Sequence, residues 1–311
     1  MTIIPFEKEI NLGFRPVMTI GMFDGVHIGH QKLLSSLKEK AQELNTKSIL
    51  ITFDKHPQLV LKPQHNDTLK LLQTNEERFA KLQSFGVENI ITIHFTKEFA
   101  SLSAIEFLDL LIDKYSPSYL LRGYDNNFGN KPSEQFDDLV RHSKQRDLTL
   151  ERTDACVFYV GIEVSSTQIR KALLKGDMQL AKAMLNEPYA LSGKVVQGNK
   201  IGRTLGFPTA NIKVDKNKLL PLFGVYTTKV ILENKEYNGI VNIGCKPTFE
   251  NSLVTIEVNI FDFADDIYNK NIKLLLLDYL REEMRFENLE DLQKQISLDV
   301  KKAKSIFANN E

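Results

Sequence analysis

Residues 21–30 read Gly-Met-Phe-Asp-Gly-Val-His-Ile-Gly-His, directly after the short apolar run Val17-Met18-Thr19-Ile20, which predicts the end of a buried strand. Gly21, Gly25 and Gly29 let the backbone approach a bulky oxyanion. His27 and His30 lie three apart at the predicted start of a helix and share one face, so two imidazoles and the free helix-terminal N–H groups converge on one anion. Plainer readings of such a pair stay open: a surface decoration, a helix cap, or two ligands of a zinc ion, for which no third ligand is evident nearby.

A second stretch, Val164-Ser165-Ser166-Thr167-Gln168-Ile169-Arg170, opens another predicted helix. Ser165 and Gln168 have the spacing of a capping box, while Thr167 and Arg170 present a hydroxyl and a guanidinium from the same helix start. Taken alone this is an ordinary cap. Paired with the histidines it reads as the other half of a triphosphate site.

A third stretch spans residues 198–212, where Gly198, Lys200, Gly202, Arg203 and Gly206 precede Pro208-Thr209-Ala210-Asn211. Glycines and cations suit phosphates, and the Thr209 hydroxyl and Asn211 amide oxygen are hard ligands for magnesium. Structural use of a glycine-rich barrel loop is the competing reading. Farther on, Val254, Ile256, Val258 and Ile260 alternate toward one face of a strand, which turns Glu257 to the other. If that face borders a pocket rather than solvent, Glu257 is a candidate general base.

These stretches need elements to hold them. From residue 17 to about 175, apolar runs at 17–20, 48–53, 89–95, 118–123 and 156–161 alternate with helical patterns, among them 29–44 and 103–115. That alternation predicts a parallel sheet with helices on both faces, a Rossmann-like α/β domain. From about residue 190 the strands follow one another: 190–196, 225–232, 237–244, 253–261 and 271–280, with a hairpin tip at Glu233-Asn234-Lys235. This predicts a small antiparallel β-barrel. A terminal helix capped by Asn288 carries Leu289, Leu292, Ile296, Val300, Ala303 and Phe307 at helical spacing. The change of texture near Pro188 sets the expected domains at 1–186 and 187–311.

Composition narrows the partners. The 311 residues hold 40 Lys plus Arg against 40 Asp plus Glu, so no global basic field exists to grip nucleic acid, although a local basic groove stays open. Cys156 and Cys245 lack metal-ligand spacing and fit a reducing compartment. The first ten residues carry charges and no long apolar run, which predicts a cytoplasmic chain with neither signal peptide nor membrane span. Oligomeric state is not legible.

The 21–30 stretch with its late Ser-Ser-Thr-Gln-Ile-Arg partner resembles the nucleotidylyltransferase superfamily, and specifically the FAD synthetase half of bacterial bifunctional riboflavin kinase/FAD synthetases. Class I aminoacyl-tRNA synthetases share the His-x-Gly-His element but carry a lysine-rich partner motif that is not found here. Residues 198–212, 221–230, 239–249, 255–263, 266–274 and 280–286 resemble the riboflavin kinase half in order. The resemblance implies ATP-dependent phosphorylation of riboflavin to FMN, then adenylylation of FMN to FAD with release of pyrophosphate, with Mg2+. For adenylylation it implies His27 and His30 as catalytic and Gly21, Phe23, Asp24, Gly25, Gly29, Ser166, Thr167 and Arg170 as ATP-binding. For the kinase it implies Glu257 as base, Gly198, Lys200, Gly202, Gly206, Thr209 and Asn211 around the nucleotide phosphates, and Thr209 and Asn211 as metal ligands. Asp125, Arg281, Glu283 and Phe286 fall on the flavin side. Three departures stand out: Lys55 where the family usually has proline, Asn126 in place of a phenylalanine, and Asn259 in place of a common histidine. The alternatives are a riboflavin kinase with an inactive adenylyltransferase-like domain, and a flavin-sensing regulator without turnover.

Overall fold

The computed structural model describes residues 2–61, 69–124, 135–153, 156–198, 201–247 and 252–309. By its contacts the chain divides into two units, residues 1–166 and 167–311.

In the first unit, strands β1 (Thr2–Pro5), β2 (Val17–Ile20), β3 (Ser48–Phe53), β4 (Asn89–Ile93), β5 (Tyr119–Arg122) and β6 (Thr149–Arg152) form one parallel sheet in the order β1-β4-β3-β2-β5-β6. Helices α1 (Ile28–Glu43), α2 (Pro57–Leu61), α3 (Asn75–Ser84), α4 (Lys97–Ala100), α5 (Ala104–Tyr115) and α6 (Phe136–Gln145) lie between them. Period-2 alternation splits β2 between two cores. Met18 and Ile20 pack with Phe107, Leu108 and Leu111 of α5, while Val17 packs with Leu33, Leu34 and Leu37 of α1. Capping boxes start α3 at Thr74 and α5 at Ser103, each with a glutamate at the third helical position.

β2 is the pivot of the sheet. The chain runs outward from it through β3 and β4, then crosses back to β5 and β6 on its other side. Both neighbours are in parallel register with β2, Ile20 opposite Ile51 and Arg122. Such a reversal leaves a crevice beyond the carboxyl ends of the central strands, and the glycine-histidine stretch follows β2 into it.

The run 156–161 is not a strand of this sheet, contrary to expectation. Val160 and Gly161 take φ of 49° and 74°, which folds the segment into a hairpin of β7 (Phe158–Tyr159) and β8 (Ile162–Glu163). The outer positions go instead to β6 and β1. Their exposed residues reflect edge strands, which need no continuous apolar run.

From Thr167 onward the second unit holds all but the first residue of α7 (Ser166–Leu174), then α8 (Met178–Leu185), β9 (Tyr189–Val196), α9 (Ile201–Thr204), β10 (Ala210–Val214), β11 (Gly224–Leu232), β12 (Lys235–Pro247), β13 (Ser252–Ile260), β14 (Asn271–Arg281) and α10 (Leu289–Asn309). The strands close an antiparallel barrel in the order β10-β13-β12-β11-β14-β9. Glu233 and Asn234, with φ of 50° and 64°, make the two-residue turn between β11 and β12. Asn288 caps α10 by accepting from Asp291 N at 2.8 Å. Buried Ala303 and Phe307 seat that helix on Val225, Ile240 and Leu280 of the barrel.

Contacts place the division twenty residues before the expected 186/187 boundary. α8 packs on β9 and β14, and Leu222 N donates to Leu173 O at 2.9 Å, so the two helices before Pro188 bury their apolar faces with the barrel. The texture of a sequence marks where helices give way to strands; packing decides which core the helices join.

Leu50 is fully buried at the centre of the sheet. Leu50→Ala is expected to destabilise the first unit by about 2–5 kcal/mol in urea unfolding; a loss near zero would contradict this packing.

Candidate active sites

Loop 21–27 leaves β2 and enters α1 through three left-handed residues, Phe23 (φ 54°), Gly25 (φ 85°) and Val26 (φ 41°). Glycine suits that region; the other two are held there by their surroundings. Phe23 is buried in the α1-side core, beneath the His30 ring at 5.1 Å. His27 is the N-cap of α1, its Nδ1 accepting from His30 N at 3.4 Å. The two imidazoles stack, with centroids 3.7 Å apart and planes 18° from parallel. The expected convergence on the start of α1 is present, with Gly29 in its first turn and Gly21 at the exit of β2.

His30 Nδ1 is enclosed and has no hydrogen-bond partner. Burial, helped by the neighbouring His27 and the Arg78 guanidinium, holds the His30 pKa well below 6.5. Neutral at ordinary pH, the ring has an N–H to donate and carries no charge of its own.

Asp24 is buried, and its carboxylate oxygens accept from Leu72 N and Gln73 N, each at 3.1 Å. Its backbone carbonyl accepts from Ser166 Oγ at 2.8 Å, which ties Ser166, the last residue of the first unit, to the histidine loop. Thr167 and Arg170 follow on α7, exposed and half-buried, and count with the second unit. Lys55 is exposed at the end of β3, and the His56 ring next to it accepts from Gln58 N. Asp125 and Asn126 lie outside the described residues, as does Lys200.

In the second unit one transverse row crosses five strands. Asn211 of β10 stands opposite Glu257 of β13, Glu257 opposite Asn242 of β12, Asn242 opposite Val225 of β11, and Val225 opposite Arg281 of β14. All five line a cavity of about 250 Å³ covered by Leu292, Ile296 and Asp299 of α10. The face opposite to Ile256, Val258 and Ile260 therefore does border a pocket. Val254, expected to be buried with them, is 44% exposed near the start of β13.

Thr209, Gly202, Asn259, Glu283 and Phe286 also line it. Asn259 donates to Pro208 O at 2.8 Å, so the residue replacing the common histidine anchors the Pro-Thr-Ala-Asn turn. Gly198 approaches Asn211 so closely that a Cβ there would overlap the Asn211 amide. Gly206, with φ of 82°, lies in the same loop after α9.

Arg281 is engaged within the protein: Nε and Nη2 reach the buried Asp299 carboxylate at 2.7–3.0 Å and Nη1 donates to Glu282 O. The pair fastens α10 to the end of β14. Glu283 accepts from Cys245 N at 3.3 Å. Sequence reasoning missed Asn242, Asp299 and the buried Arg78, which bonds the histidine loop; each reads locally as an ordinary strand or helix polar residue, and only cross-strand register or tertiary packing reveals it.

Thr209 and Asn211 offer oxygen donors beside Glu257, a set that suits Mg2+, which keeps several waters and relies on substrate phosphates for other ligands. Among the described residues no three His, Cys, Asp or Glu groups cluster as a metal site. Near the histidines the Asp24 carboxylate is taken up by the backbone amides of Leu72 and Gln73.

The FAD synthetase family matches residues 13–168 and the riboflavin kinase family residues 185–307. A bifunctional riboflavin kinase/FMN adenylyltransferase of Buchnera aphidicola subsp. Schizaphis graminum is 37% identical over 305 residues, 96% of either chain. Another from Haemophilus influenzae is 36% identical, covering 93% of this chain and 94% of that protein. A Streptococcus pneumoniae crystal structure described as a macrolide-efflux protein superposes with a TM-score of 0.88 at 30% identity, over 98% of this chain and 99% of that one. Among the described residues no helix is long and apolar enough to cross a membrane.

Below 6.5 the unfolded His30 takes up a proton that the folded unit resists, so folding binds fewer protons and stability rises with pH. The melting temperature of the chain's first transition is expected to fall as pH drops through that value, and His30→Asn to flatten the dependence. An identical slope in the variant would contradict the burial of His30.

Proposed function

The chain belongs to the family of bifunctional riboflavin kinase/FMN adenylyltransferases, and we propose that its two reactions run at the histidine loop of the first unit and the Glu257 cavity of the second. It is an enzyme that phosphorylates riboflavin to FMN with ATP and joins FMN to the adenylyl group of a second ATP, releasing pyrophosphate. FAD synthesis is assigned to residues 1–186 and phosphorylation to 187–311.

The observation that carries the kinase assignment is Glu257 set between Asn211 and Asn242 on the cavity wall. In phosphorylation the ribityl hydroxyl oxygen bonds to the γ-phosphorus of ATP, the bond to the β-phosphate oxygen breaks, and Glu257 takes the hydroxyl proton as ADP leaves. Gly198, Lys200, Gly202 and Gly206 cover the phosphates. Thr209 Oγ and Asn211 Oδ1 would hold Mg2+, which when bound neutralises charge on the phosphate oxygens. Phe286 faces the flavin, while Arg281 and Glu283 shape that wall through their bonds to Asp299 and Cys245.

In adenylylation the FMN phosphate oxygen is already a nucleophile. It bonds to the α-phosphorus of ATP while the bond to the leaving pyrophosphate breaks, so no covalent enzyme intermediate is needed. His27 and His30 donate N–H groups to the phosphate oxygens, assisted by the α1 terminus, Gly25, Gly29 and Ser166, while Thr167 and Arg170 are ATP-binding residues by family resemblance alone. Gly21, Phe23 and Asp24 hold the loop in shape, and Asp125 is assigned to the flavin. A chain of 311 residues with only two cysteines, far apart in sequence, fits a reducing, cytoplasmic setting.

Glu257→Gln is expected to cut FMN formation about a hundredfold or more, at the lower end of the contribution of general bases, and to leave FAD formation from supplied FMN within twofold. Parallel loss of both would overturn the division of labour. Replacing His27 and His30 together with alanine reverses the pattern; undiminished FAD synthesis would remove the pair from the mechanism.

A further inference from the structure

Met22 and Phe53 lie in different segments, one in the histidine loop and the other closing β3, yet one side chain binds both. Arg78 of α3 donates from Nη1 to Met22 O at 2.9 Å and from Nη2 to Phe53 O at 2.7 Å, with Asn75 Oδ1 at 3.0 Å as a third acceptor. It is 1% exposed, the largest fully buried side chain among the described residues.

A buried cation is a costly way to fill space, since an apolar side chain of similar volume is often neutral or stabilising in its place. Burial lowers the Arg78 pKa to about 10, against the pull of the nearby Asp24 and Asp54 carboxylates, so the guanidinium keeps its charge at neutral pH. What an apolar residue lacks is the planar fork, whose two terminal nitrogens donate at a fixed spacing to carbonyls of two different segments.

The linkage runs in both directions. Arg78 reaches from α3 to the loop, and Asp24 reaches from the loop to Leu72 N and Gln73 N just before α3. The left-handed Phe23 lies between these two ties, and the left-handed Gly25 and Val26 and the N-cap His27 follow directly after Asp24. Left-handed backbone at phenylalanine and valine is strained and persists only where surrounding contacts over-determine it.

We propose that Arg78 is a positioning residue for adenylylation: by bridging the Met22 and Phe53 carbonyls it locks the loop that aims His27 and His30 at the ATP phosphates. The proposal rests on the assignment of adenylylation to that loop. Buried at 1% exposure, Arg78 acts through the backbone at Met22 rather than on substrate.

The test compares Arg78→Ala and Arg78→Lys in the full chain, using riboflavin phosphorylation in the same preparation as an internal control. Arg78→Ala is expected to lower kcat/KM for ATP in FAD synthesis at least about tenfold, the scale on which small displacements in a site act, while the kinase rate stays within twofold. Millimolar guanidinium chloride should restore part of the lost FAD synthesis by refilling the fork, without helping the His27→Ala/His30→Ala double variant. Arg78→Lys, a point charge without the fork, should fall between wild type and alanine. If Arg78→Ala does not fold, Arg78→Lys decides alone, and wild-type parameters in it would overturn the proposal. Arg78→Ala that retains FAD synthesis, or a defect that guanidinium leaves untouched while the first melting transition is normal, would also overturn it. If the double histidine variant keeps full FAD synthesis, the loop assignment itself fails; if it loses activity while the Arg78 variants keep theirs, only the role of Arg78 fails.

Discussion

Parallel pairing of β2 with β3 on one side and β5 on the other is the constraint on which the first site depends. Because the chain reverses its direction of travel across the sheet at β2, no crossover helix fills the space beyond its carboxyl end, and the loop to α1 can open onto a ligand. That one strand–helix junction brings together a helix terminus, a stacked histidine pair and glycines that leave room for phosphate.

The second unit reaches a comparable result by another route. A closed antiparallel barrel brings residues far apart in sequence into one transverse row, and its outer face becomes a pocket because α10 lies over it. The Arg281–Asp299 pair and the bond from Gln293 to Leu205 O fasten that helix to β14 and to the residue just after α9. Both phosphorus transfers require positioning and charge compensation more than covalent chemistry, and under the proposed assignment a helix terminus in one unit and a barrel wall in the other supply them.

Much of this was legible because catalytic stretches are local in sequence. The glycine-histidine stretch, Thr209, Asn211 and Glu257 all sit where their strand and helix patterns put them. The missed elements share a physical cause. β1 and β6 are edge strands with exposed side chains, and α7 and α8 carry apolar faces that do not announce which core they join. Arg78 sits in Asn-Glu-Glu-Arg-Phe-Ala-Lys, which reads as a solvated helix start; its burial follows from β2 and β3 lying side by side. Asn242 matters through its register with Glu257, and register is set by barrel closure rather than by either segment alone.

The most direct measurement is product analysis with each flavin supplied separately, together with ATP and magnesium. The account predicts that supplied FMN yields FAD with one pyrophosphate per FAD and no ADP, whereas supplied riboflavin yields FMN with ADP first and FAD with pyrophosphate afterwards. FMN that remains unconverted when supplied directly, while riboflavin is still phosphorylated, would contradict the central claim that the histidine loop carries out a second, independent transfer.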